Sequence, residues 1–175
     1  LTLQDEIDVT DVMLKSGENI FEINAIRRHI SQMNGGMLAK RIAARGAELI
    51  GFGISDAVAS PATGDISKPY LAYRGTPMGP DQTTLEQARQ VIRDYDVAER
   101  LPKKVVDYLM NVGPEGETPK AFPQNTYYLI NTLPDSCRYA KEIAEEMGIP
   151  AYILSSFLDG ESKDAGTFFA AIARE

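Results

Sequence analysis

Residues 126–156, TYYLINTLPDSCRYAKEIAEEMGIPAYILSS, alternate in period. The apolar run Thr126–Ile130 reads as a strand, and Pro134 to Met147 reads as a helix stopped by Gly148. Ala151–Ser155 then reads as a second strand, with another helix from about Glu161 onward. Strands separated by helices imply parallel pairing through right-handed crossovers. The expectation is therefore an α/β fold, a layered parallel sheet flanked by helices.

Upstream, Leu49-Ile50-Gly51-Phe52-Gly53-Ile54 is a mostly apolar run without alternation, which suits a parallel strand covered on both faces. Helices frame it. Thr2 and Asp5 have capping-box spacing ahead of Ile7, Val9, Val12 and Met13, predicting a helix to about Lys15. From Asn19 to Met33, Ile23, Ile26, Ile30 and Met33 recur at helical spacing, with Asn24, Arg27, Arg28 and Ser31 on another stripe. Gly35-Gly36 ends this helix, and a short third one runs from Leu38 to Ala43. Thr83 and Glu86 have the spacing of another capping box, for a helix burying Leu85, Ala88, Ile92 and Tyr95. Pro102 opens the next, with Val105, Val106, Leu109 and Met110, before the turn-rich and solvated connector Gly113-Pro114-Glu115-Gly116-Glu117.

The totals bound the function. At 175 residues the chain fits one domain, able to bury about 68–70% of its unfolded surface. A net charge of −7 argues against a broad nucleic-acid surface, and no apolar run approaches the length of a membrane span. The lone Cys137 has no partner for a disulfide and reads as a core residue of a cytoplasmic protein. Leu1 opens directly into a helical pattern, so the expectation is a fragment of something longer.

Ligands of open α/β sheets bind beyond the carboxyl ends of strands, which singles out Ser55-Asp56. Asp56 there suits a Mg²⁺ ligand or a base for a hydroxyl proton, or equally a turn cap. Asn24, Arg27, Arg28 and Ser31, followed by Gly35-Gly36, would set guanidinium groups beside a glycine bend able to take phosphate or carboxylate; a solvated helix face with a glycine cap is the plainer alternative. His29, the one histidine, reads as a partly buried helix residue. The P-loop pattern is missing, and Gly51-Phe52-Gly53 lies inside the strand without the third glycine of a dinucleotide fingerprint.

Several motifs occur in a telling order: Ser16-Gly17, Glu22-Ile23-Asn24-Ala25-Ile26-Arg27-Arg28-His29-Ile30-Ser31, Gly35-Gly36 and Leu38-Ala39. Ile54-Ser55-Asp56, Pro80-Asp81 with Thr83-Thr84, Gly160-Glu161 and Ala165-Gly166 follow. This succession resembles the glycerate 2-kinase family, members of which are also labelled hydroxypyruvate reductases. The resemblance implies a Rossmann-like first domain, of which residues 1–175 are the middle and end, and a C-terminal MOFRL domain. It also implies ATP and Mg²⁺ as cofactors and glycerate as substrate. Asp56 then serves the metal or the glycerate hydroxyl, while Asn24, Arg27, Ser31, Gly35, Gly36, Ser55 and Asp81 contact substrate or nucleotide.

The chain departs from the family pattern in two places. Asn34 and Met37 flank the glycine pair where basic residues are frequent, and Gly75-Thr76-Pro77-Met78 stands where Ser-Gly-Pro-Thr is usual. The family's Gly-Lys-Ala and Gly-Gly-Arg-Asn-Gln-Glu segments have no counterpart here, so the fragment is expected to be inactive alone. Alternatives are a nicotinamide-dependent reductase and a non-catalytic ligand-binding domain derived from the kinase.

Overall fold

A computed structural model describes residues 1–54, 76–122, 125–156, 158 and 160–174, with only the backbone of 127 and 129. The elements are α1 (Leu3–Leu14), α2 (Ile20–Ile30), α3 (Met37–Ala43), β1 (Ile50–Ile54), α4 (Leu85–Asp94), α5 (Lys103–Asn111), β2 (Thr126–Asn131), α6 (Leu133–Glu146) and α7 (Ser162–Ile172). This is a mixed α/β arrangement whose two strands pair in parallel. The described residues fall into two compact units. One holds residues 1–51 and the described part of 73–127; the other holds 52–54 and the described residues from 128 onward.

The first unit is built on helix packing. Val9 and Met13 of α1, Ile23, Ile26 and Ile30 of α2, Leu85, Ala88 and Ile92 of α4, and Val105 and Leu109 of α5 form one buried cluster. Their spacing of three and four residues puts each set on one helical face, and exclusion of that apolar surface from water drives the packing. Reciprocal caps terminate three of these helices: Thr2 with Asp5, Asn19 with Glu22, and Thr84 with Gln87.

The α4 cap falls one residue later than the expected Thr83–Glu86 box. Thr83 is already committed, since its hydroxyl and its amide both donate to Asp81, at 2.6 and 3.1 Å. Helix α2 likewise stops at Ile30 rather than Met33. The Ser31 hydroxyl accepts from the amides of Met33 and Asn34, at 3.2 and 3.1 Å, offering the backbone a turn in place of a further helical bond.

In the second unit, α6 is capped by Thr132 with Asp135, and neither α6 nor α7 has a buried residue. Phe52 of β1 stacks on Tyr128 of β2 with centroids 5.5 Å apart. The expected strand at Ala151–Ser155 is not one: among the described residues the sheet comprises β1 and β2 alone, and without a ladder partner an extended segment is not a strand. Cys137, expected in the core, is half-buried and lines a shallow cleft of about 360 Å³ with Ala140, Ile153 and Phe169.

Candidate functional site

The expected site residues that can be placed lie in the first unit, around the carboxyl end of α2, the turn after it and Asp81. Asn24, Arg27 and Ser31 follow one another along α2 as expected, and the Arg27 guanidinium reaches the Asn24 side-chain oxygen at 3.4 Å. Arg27 makes no ion pair among the described residues. Its neighbour Arg28 points elsewhere, donating at 3.2 Å to Asp81.

Asp81 is fully buried and surrounded by donors. Besides Arg28 it accepts from the Thr83 amide, the Thr83 hydroxyl and, at 3.0 Å, the Thr118 hydroxyl. A buried carboxylate is tolerable only when so compensated. Asp81 therefore acts in this structure as the knot between α2, the start of α4 and the segment at Thr118.

The glycine turn packs on that knot. Gly35 and Gly36 both have left-handed backbones, with φ of +63° and +80°, which favours glycine at each. A Cβ built on Gly35 would meet the Arg28 Cβ and Thr118 Cγ2 at 3.1 Å; one on Gly36 would meet the Gly79 carbonyl oxygen and the Phe122 ring at 2.8 Å. The Gly36 amide, expected to face an anion, donates instead to the Thr76 carbonyl at 2.9 Å, and Ala39 donates to Pro77 at 3.1 Å. Met37 and Leu38 donate to Asn34 and Met33. The Gly36 and Ala39 amides thus hold the 76–79 loop, and half-buried Arg27 is left without an ion pair among the described residues.

Glu117 belongs to the same assembly although its sequence context read as a solvated connector. Its carboxylate accepts from the His29 ring Nε2 at 2.8 Å, from the Leu85 amide at the start of α4 at 3.0 Å, from the Thr118 amide at 3.0 Å and from the Lys120 ammonium at 2.8 Å. Burial pushes this carboxyl up, but the bonds from Lys120, Leu85, His29 and Thr118 outweigh it and hold the group at about 2. His29 is buried, with Nδ1 2.7 Å from the Ala25 carbonyl oxygen. Arg28, His29, Ser31, Tyr108, Glu117 and Thr118 together line a cleft of about 200 Å³. No local pattern could have named Glu117, because its histidine partner is 88 residues away in sequence.

Ser55 and Asp56, the strand-end pair, lie outside the described residues. Among the described residues no group of three or more His, Cys, Asp or Glu side chains could hold a metal ion, and no helix is long and apolar enough to cross a membrane.

A glycerate 2-kinase from Pyrococcus horikoshii is 36% identical over 179 residues, an alignment spanning 100% of this chain and 38% of the relative. A putative hydroxypyruvate reductase from Agrobacterium vitis is 31% identical over 173 residues, covering 99% of this chain and 41% of the relative. The crystal structure of a glycerate kinase from Thermotoga maritima superimposes with a TM-score of 0.65 at 31% identity, over 100% of this chain and 38% of that one. The chain thus spans well under half the length of the proteins it matches. A family model described as a domain of unknown function, DUF4147, matches residues 1–110. The chain belongs to the DUF4147 family, and along its whole length it is similar to part of the glycerate 2-kinases.

Proposed function

We propose that this chain is a substrate-binding part of an ATP-dependent glycerate 2-kinase, within a longer protein that phosphorylates glycerate to 2-phosphoglycerate. End-to-end similarity to a glycerate 2-kinase at 36% identity carries the reading. In it, the chain forms the middle and end of a Rossmann-like domain, and a preceding segment and a MOFRL domain complete the enzyme.

Arg27 is the residue we assign to the anion. A half-buried guanidinium with no carboxylate partner among the described residues can take a carboxylate or phosphate in bidentate fashion, and Asn24 holds it from one side. Ser31 shapes the turn that sets the neighbouring surface. Asp81, expected by motif among the contacts, serves by positioning, since its oxygens are taken by Arg28, Thr83 and Thr118. These residues do not form a magnesium site; we assign metal ligation, or acceptance of the glycerate hydroxyl proton, to Asp56. Phosphoryl transfer depends on positioning and charge neutralisation, which is what such groups supply.

The test is ADP release coupled to glycerate in the complete gene product. Turnover with glycerate and ATP supports the kinase; glycerate-dependent reduction of a nicotinamide without ADP release supports the reductase; binding without either supports a non-catalytic domain. Arg27→Ala should raise the KM for an anionic substrate about 10–100-fold, the equivalent of about 1.4–2.8 kcal/mol for a charge-assisted contact. An unchanged KM removes Arg27 from the site.

A further inference from the structure

Adjacent residues of α2 reach two different carboxylates, and those carboxylates are joined to each other. Arg28 donates to Asp81, His29 bonds to Glu117, and Thr118 closes the ring by donating its hydroxyl to Asp81 and its amide to Glu117. Lys120 braces it from outside, bonding to Glu117, the Thr118 hydroxyl and the Thr83 carbonyl. The glycine turn rests on this ring, since Gly35 packs against Arg28 and Thr118. Asp81 is fully buried within it, whereas the Glu117 side chain is 33% exposed and can be exchanged without opening a closed core.

We propose that Glu117 is a positioning residue: by gathering His29, Thr118 and the first amide of α4 on one carboxylate, it keeps α2 and the glycine turn in the register that presents Arg27 to its anion. This rests on the anion-binding reading given above. Glu117 touches no substrate in this scheme. Its loss loosens a contact made equally in ground and transition states, so its signature is a KM effect with little change in kcat.

The experiment uses the complete gene product with glycerate and ATP, measuring KM for each substrate, kcat and the unfolding midpoint for Glu117→Gln, His29→Gln, the double variant and Arg27→Ala. A glutamine at 117 keeps an acceptor but turns an amide NH₂ toward donors that both carboxylate oxygens now receive. The expected result is a KM about tenfold higher for the substrate whose KM also responds to Arg27→Ala, kcat within about twofold, and a double variant no worse than the poorer single one.

Four results overturn the proposal. KM unchanged in Glu117→Gln while Arg27→Ala raises it defeats the positioning role and leaves the anion site standing. Additive effects of the two single changes show that Glu117 does not act through His29. A loss of kcat that follows the fraction unfolded, and recovers on cooling, marks a merely structural residue. If Arg27→Ala itself has no effect, the anion reading fails, and the positioning role fails with it.

Discussion

Replacing Gly36 by alanine should cost about 4 kcal/mol, and the structure says why. The residue has φ of +80°, and its new Cβ would stand 2.8 Å from both the Gly79 carbonyl oxygen and the Phe122 ring. Left-handed backbone costs an L-residue about 1–2 kcal/mol, offset by about 0.4–1 kcal/mol because alanine restricts the unfolded chain. Displacing a backbone oxygen and a ring adds about 1–3 kcal/mol. Weakening the 2.9 Å bond from Gly36 to Thr76 adds about 1 kcal/mol. Gly46 supplies the control, since its φ is +73° but nothing lies within 4 Å of its Cβ, so Gly46→Ala should cost only about 1 kcal/mol. Urea unfolding followed by far-ultraviolet circular dichroism gives both values, and hydrogen exchange at the Gly36 and Ala39 amides reports the loop locally. Equal costs for the two alanines would refute the argument that close approach, rather than backbone sign, governs the turn.

Two further outcomes follow from the carboxylates. Asp81→Asn leaves the Arg28 guanidinium without its counter-charge and faces an amide toward donors, so stability should fall by about 2–4 kcal/mol, less than for a fully buried pair because Arg28 is 20% exposed. A denaturation loss below about 1 kcal/mol contradicts the knot described for Asp81. Glu117 titrates at about 2 in the folded protein against an ordinary 4.5, so its contribution is complete above about 4.5 and is lost as pH falls toward 2. With a carboxylate 33% exposed and screened, we expect about 1–2 kcal/mol of acid-dependent stability present in the parent protein and missing from Glu117→Gln, measured as the difference between their stabilities at pH 6 and pH 3. Identical pH dependence in the two proteins excludes the hydrogen-bonded carboxylate.

Much of the helical half was legible. Ile23, Ile26 and Ile30, or Leu85, Ala88 and Ile92, declare their helices by spacing alone, and all are buried as that spacing requires. The cap at Thr2 with Asp5 followed from residues three apart. The cap of α4 did not, because Thr83 and Thr84 are equivalent by local rules and only Asp81 decides between them. At Ala151–Ser155 the composition of a strand was present, but pairing is a property of neighbours rather than of the segment.

The site divides in the same way. The stripe of Asn24, Arg27 and Ser31 is visible from helical period, and so is the need for glycine at the bend. What these residues do was decided by contacts spanning 53 residues, from Arg28 to Asp81, and 88 residues, from His29 to Glu117. Local sequence determined the helical faces, the α1 cap and the glycine turn, because those depend on atoms within a few residues. Tertiary structure decided which arginine is tied to a carboxylate, which amides are spent on the 76–79 loop and which carboxylates are held, because a charge or a donor acquires its role only from the partner the fold brings to it.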